Sequence, residues 1–157
     1  MQDVPKTLKI IICWLVVGTL IFLAVLWFES TNKQSKIVIE GNTIEIQRSR
    51  DGHYHWDGEV NGTPIFFLID TGAGITTIPE AVADQGGLRT IGVTEFSTAG
   101  GIVPGKIVLG ELTLEGGVTA ISIPMGVIPG HDEGLLGMDV IGKLNMSQSE
   151  GVMRFTR

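Results

Sequence analysis

The sequence has little of what stabilises small exported proteins or binds nucleic acid: one cysteine, one tyrosine, and eleven basic residues against seventeen acidic ones in 157. The cysteine, Cys13, lies inside an uncharged apolar run. The rest of the chain can therefore form no internal disulfide and must hold itself together by burial, for which about 120 residues suffice. From Glu29 onward nine Lys and Arg face sixteen Asp and Glu, a net of −7 with no basic cluster. That balance argues against a nucleic-acid partner. Metal ligands are also sparse. His53 and His55 alternate as on one strand face, but no third ligand has useful spacing, so both read as surface histidines and no metal is expected. None of the glycine-rich stretches opens a helix as a phosphate loop must, so no nucleotide cofactor is expected either. No repeat of fixed period is present.

Long apolar runs are confined to one place. Ile10 to Phe28 is free of charge, with Lys6 and Lys9 before it and Glu29 after it, which is the length a membrane-spanning helix needs. A cleaved signal peptide would have a shorter run ending in small residues; this one closes with Trp27 and Phe28, and Trp27 suits the headgroup level. The reading is an uncleaved anchor. Lys6 and Lys9 lie closer to the run than Lys33 and Lys36 do, which favours an N-terminus inside the cell. Glu29 to Ser35 is polar, lacks apolar periodicity and reads as a tether.

Beyond the tether the pattern is that of strands. Ile37–Glu40 and Thr43–Gln47 alternate about Gly41-Asn42 as a hairpin, and His53–Val60 turns at Asn61-Gly62 into the next strand. Pro79 to Gln85 predicts one short helix stopped by Gly86-Gly87. Thr94–Thr98, Ile102–Leu109, Leu112–Leu114 and Val118–Ile123 read as strands, Met138 to Leu144 as a second short helix, and Gly151–Thr156 as a closing strand.

Between these lies the segment around which the chain is organised, Thr63 to Glu80. Ile65 to Ile69 is apolar enough for a strand buried on both faces, and it ends in Asp70, Thr71 and Gly72. An ionised carboxylate there costs several kcal/mol of lost hydration, on the order seen for buried charges, unless it is paired, hydrogen-bonded or protonated. Such acids are candidate functional groups. Taken alone, Asp-Thr-Gly also fits an Asx-type turn in which Gly72 supplies a positive φ.

Phe67, Leu68 and Ile69 followed by Asp70, Thr71, Gly72 and Ala73 resemble the active-site signature of retropepsin-like aspartic proteases. Leu135, Leu136 and Gly137 are similar to the strand that crosses behind the catalytic loop in that family, and Arg50 to Gly62 resembles the preceding hairpin in bacterial membrane-anchored members. The resemblance covers most of the chain after residue 45. It implies an all-β acid-protease barrel of one lobe with one or two short helices, preceded by a single transmembrane helix. The expected organisation is a cytoplasmic N-terminus at 1–7, an anchor at 8–28, a linker at 29–36 and a protease domain at 37–157. That domain would lie in the periplasm, held at the inner membrane of a bacterium. Thr98, Ala99, Gly100 and Gly101 look like the tip of the flap that covers substrate in retropepsins, although an ordinary hairpin turn fits the local sequence equally.

Aspartic protease chemistry needs two carboxylates sharing one proton, because like charges about 3 Å apart cannot both ionise. The chain supplies one. Asp84, Asp132 and Asp139 lack the Thr-Gly sequel, and Asp139 reads as a helix N-terminal acid. The expected catalyst is therefore a homodimer with Asp70 from each chain, acting on a peptide or protein substrate. Thr71, by resemblance, hydrogen-bonds across the two-fold axis, and Gly72 and Ala73 support the loop. Gly74 and Met138 stand where viral retropepsins carry a polar residue and an arginine, so their interchain ion pairs are not expected. The alternative is a catalytically inactive peptide- or protein-binding module on the same fold.

Overall fold

A computed structural model describes residues 5–32, 34–98 and 100–156. The chain divides into two compact units, Met1–Gln34 and Ser35–Arg157. The first is one helix, α1 (Lys6–Asn32), in which Thr7–Phe28 is long and apolar enough to cross a membrane. Its helical backbone continues past Phe28 through Asn32, where polar composition predicts a tether. Adding residues to an existing helix costs far less than starting one, so polar residues can prolong it.

The second unit is two sheets. One has four strands in the order β1 (Ile37–Glu40), β2 (Thr43–Gln47), β11 (Val152–Thr156), β10 (Asn145–Ser149), all antiparallel. The other has seven in the order β3 (His55–Val60), β4 (Thr63–Ile69), β9 (Gly134–Leu136), β5 (Thr77–Ile78), β8 (Val118–Val127), β7 (Gly101–Leu114), β6 (Arg89–Thr98). β3 pairs again with the far end of β7, Val60 opposite Leu112, and this closes six strands into a barrel with β6 outside the ring. Two short helices, α2 (Glu80–Gln85) and α3 (Met138–Ile141), complete the all-β fold.

The first hairpin forms as its alternation predicts, with Glu40 opposite Thr43 across a two-residue turn. Gly41 has φ +59° and precedes Asn42, the order that suits a turn with its left-handed residue first. At the second hairpin both Asn61 and Gly62 have positive φ, as a type I′ turn requires. Ile44, Ile46, Met153 and Phe155 on the small sheet are buried in one core with Trp56, Phe67 and Leu136 of the barrel. Trp56 and Phe155 lie with ring centroids 4.7 Å apart, and the indole N–H donates to Glu115 O at 2.8 Å.

Some elements differ from the sequence expectation. The strands expected at 102–109 and 112–114 are one strand, β7, interrupted only by an irregularity near Gly110. α3 stops at Ile141, short of Leu144, and β10 follows it from the polar Asn-Met-Ser-Gln-Ser. β10 has no apolar alternation because all five residues are exposed on a sheet edge. The histidines are not a surface pair: His53 is exposed and precedes β3, whereas His55 is 2% exposed.

Candidate active site

β4 carries the chain to Asp70 and β5 takes it onward, with β9 threaded between them. Phe67, Leu68 and Ile69 pair in parallel with Gly134, Leu135 and Leu136, while Leu135 also lies opposite Thr77 of β5. Two backbone bonds then fix the intervening loop from behind: Asp70 N–H donates to Leu136 O at 3.1 Å, and Met138 N–H donates to Ala73 O at 2.8 Å. The crossing is close enough to exclude any side chain at Gly137, where a Cβ would lie 2.7 Å from Ile75 C and 2.9 Å from Thr76 N. Leu135-Leu136-Gly137 therefore crosses behind the Asp70 loop as the resemblance implies.

β4 is not buried on both faces. Ile65 and Phe67 are buried, but Phe66 and Leu68 on the opposite face, and Ile69 at the strand's end, are only partly so. Asp70 itself is half-buried, and Thr71, Gly72 and Gly74 are exposed. Asp70 meets its hydration cost through a local bond in which Oδ1 accepts the Gly72 N–H at 2.8 Å. Gly72 lies outside the positive-φ glycines, so the Asx-type contact forms without the left-handed backbone expected for it. The reason for glycine is space: a Cβ at Gly72 would lie 3.2 Å from Asp70 Oδ1. Ala73 N–H donates to Asp70 O at 3.2 Å and closes the turn.

Behind the loop sits a polar group that sequence reasoning places differently. Asp139 is in the first turn of α3, as expected for a helix N-terminal acid. Its Oδ1 nevertheless accepts the N–H and the hydroxyl of Thr76, at 2.9 and 2.8 Å, while Gly137 N–H donates to Thr76 Oγ1 at 3.1 Å. Thr76 is 0% exposed, and these bonds satisfy it. A polar residue six positions after Asp70 within an apolar segment is the one sequence signal that could have marked it.

The β6–β7 hairpin has its tip at Thr98, Gly100 and Gly101; Ala99 falls outside the described residues. Thr98 Oγ1 donates to Gly101 O at 2.8 Å and accepts from Gly100 N–H at 3.2 Å, and Gly101 takes φ +115°. Only glycine adopts that backbone without strain.

On the side of β3 away from its Val60 end, His55 Nε2 lies 2.8 Å from Asp51 Oδ2 and Nδ1 lies 3.6 Å from Glu133 Oε1. The His55 ring stacks on Phe66 with centroids 4.8 Å apart. Desolvation pushes the Asp51 carboxyl upward, but bonds from Ser49, the His53 N–H and His55 outweigh it and hold the group at about 2. Among the described residues no group of three or more His, Cys, Asp or Glu is arranged to hold a metal.

The aspartyl protease family matches residues 56–140, which include Asp70, the hairpin and Gly137. A retropepsin-like aspartic protease from Rickettsia conorii superposes with a TM-score of 0.58 over 78% of this chain and 93% of its own, at 20% identity. The EIAV protease, solved with the inhibitor HBY-793, superposes with a TM-score of 0.50 over 57% of this chain and 85% of its own, at 23% identity. A comparison with curated proteins found no match. At these identities the structural likeness establishes a shared retropepsin-like fold, while the family match covers more than half the chain. The chain belongs to the aspartyl protease family.

Proposed function

We propose that the protein is a membrane-anchored endopeptidase whose active site forms across a homodimer, with Asp70 from each chain. The observation that carries this reading is the exposure of the Asp70 loop. Its back is fixed by Leu136 and Met138, its front is open, and the Asp139 carboxylate is already engaged by Thr76. A lone carboxylate on an exposed loop lacks the second acid that the chemistry needs, and a two-fold axis beside the loop supplies it.

In the dimer one Asp70 carries the shared proton and the other is ionised. The ionised group takes a proton from water as the oxygen attacks the scissile carbonyl, and the protonated group donates to the carbonyl oxygen. The tetrahedral species then collapses with protonation of the departing amine. Thr71 binds across the axis, Gly72 and Ala73 shape the loop, and the hairpin tip at Thr98, Ala99, Gly100 and Gly101 covers an extended peptide. α1 anchors the chain in the bacterial inner membrane with the catalytic domain on the periplasmic side.

Mixing native chains with Asp70→Asn chains tests the reading. At concentrations where dimers saturate, an equal amount of the variant should lower peptidase activity to about half, because statistically only one dimer in four then has both acids. A bell-shaped pH profile belonging to the pair should accompany that activity. Peptide binding without turnover would instead identify an inactive recognition module, and activity indifferent to the variant would show a complete site in one chain.

A further inference from the structure

Phe96 lies on β6, two residues before Thr98, and is partly buried while its neighbours Glu95 and Ser97 are exposed. Its ring reaches across β7 toward β8 and sits against two glycines. A Cβ at Gly105 would lie 2.6 Å from Phe96 Cε2, and one at Gly126 would lie 2.6 Å from Phe96 Cζ. The ring thus occupies space that any other residue at either position would fill.

The floor of this socket belongs to the framework of the Asp70 loop. Gly126 lies opposite Thr77 of β5, and its N–H donates to Thr76 O at 2.9 Å. Thr76 is the residue held by Asp139 and Gly137. Beyond Phe96 the arrangement changes. Among the described residues, the hydrogen bonds of 97–102 stay within the hairpin, and Ile102 is 71% exposed.

We infer that Phe96 is the pivot of the hairpin: its ring, seated against Gly105 and Gly126, fixes the base of the arm to the strands that carry the Asp70 loop, and leaves Ser97, Thr98 and Gly100 to Ile102 to move. The inference rests on the proposed peptidase reading for its catalytic meaning. Phe96 is a positioning residue that sets where the closed hairpin lands on bound peptide. A loosened pivot widens the range of hairpin positions and weakens substrate capture, while the Asp70 pair is unaffected.

The test uses the full chain in detergent and four forms: native, Phe96→Ala, Gly126→Ala and the double variant. The three atoms nearest a Cβ at Gly126 all belong to side chains, two of the Phe96 ring and Thr77 Cγ2 at 3.0 Å, so removing the ring relieves the two closest contacts. Phe96→Ala should speed amide exchange at 100–102 by about tenfold and leave exchange in β4 unchanged. KM should rise by about tenfold with kcat held within about twofold, and Phe96→Leu should recover part of the loss. Gly126→Ala should reproduce these effects in the native background and add almost nothing in the Phe96→Ala background. Additive effects of the two substitutions, faster exchange in β4 alongside the hairpin, or a double variant that fails to fold would overturn the pivot. Hydrogen exchange needs no turnover, so a native chain that hydrolyses nothing yet shows this exchange pattern refutes the peptidase reading and leaves the pivot standing.

Discussion

Asp139 Oδ1 accepts both the N–H and the hydroxyl of Thr76, at 2.9 and 2.8 Å, across 63 residues of sequence. Thr76 is fully buried, so the carboxylate joins the segment after the Asp70 loop to the helix that follows the crossing strand. Removing one partner of a buried hydrogen-bonded pair strands the other. Asp139→Ala should therefore destabilise the domain by about 2 kcal/mol, and Asp139→Asn, which keeps an acceptor at Oδ1, by less than half of that. Equal losses in urea titrations of the two variants would show that the bond to Thr76 contributes little.

Gly137 and Gly72 should respond differently to the same methyl group. At Gly137 a Cβ meets backbone atoms at 2.7 to 2.9 Å, whereas at Gly72 it meets only Asp70 Oδ1 at 3.2 Å. Gly137→Ala should cost roughly 2 kcal/mol or more of stability, as overpacking against rigid backbone does. Gly72→Ala should leave thermal unfolding nearly native and lower peptidase activity by about tenfold through displacement of the carboxylate. The comparison of melting temperature with turnover for the two variants checks both statements.

Asp51 predicts a pH dependence with a definite sign. Its carboxyl is held at about 2 against an ordinary 3.8, so its contribution is complete above the ordinary value and is lost as pH falls toward 2. Because Asp51 is exposed, solvent screening limits that contribution to about 1 kcal/mol or less. Urea midpoints of the native domain and Asp51→Asn should differ at pH 6 and converge between pH 4 and pH 2. A constant difference across that range would assign the effect to shape instead of charge. Asp57 works the other way, since desolvation raises its carboxyl; Asp57→Asn should stabilise the domain slightly at neutral pH.

The apolar helix α1 gives a topological prediction. A reporter active only outside the cytoplasm, fused after Arg157, should function, because Lys6 and Lys9 flank the apolar run on its N-terminal side. Removing residues 1–34 should release a soluble, folded domain whose activity rises with the square of its concentration when dilute. Confinement to a membrane raises the effective concentration of partners, so the released domain should need more protein than the anchored one for the same rate per chain. First-order behaviour at every dilution would contradict a shared site.

The sequence carried those parts of the fold that are written locally. Gly41-Asn42 and Asn61-Gly62 specify their hairpins by backbone conformation, and Asp70-Thr71-Gly72 specifies its loop through a bond spanning two residues. Features built from distant partners were hidden. Nothing near Thr76 names Asp139, and nothing near Phe96 names Gly126. His55 alternates with His53 as a surface residue would, yet it is buried by Phe66 from the neighbouring strand. β10 lacked any signal because an exposed edge strand places no apolar demand on its residues. The partial exposure of Leu68 was concealed for a related reason: apolar composition marks a strand without saying how fully each of its faces is covered.

The threading of β9 between β4 and β5 also governs when the site can first exist. Phe67 pairs with Gly134, and the Asp70 loop has no backbone partner behind it until Leu136 and Met138 are present. During synthesis the loop must therefore wait for most of the domain to be made. Closing a loop of this length carries an entropic cost of several RT, on the order of 3 to 4 kcal/mol, before the crossing strand returns any favourable contact. A nascent chain ending before Gly134 has Asp70 but no framework to aim it. The order of the segments thus leaves the Asp70 loop without its framework until the crossing strand has been made.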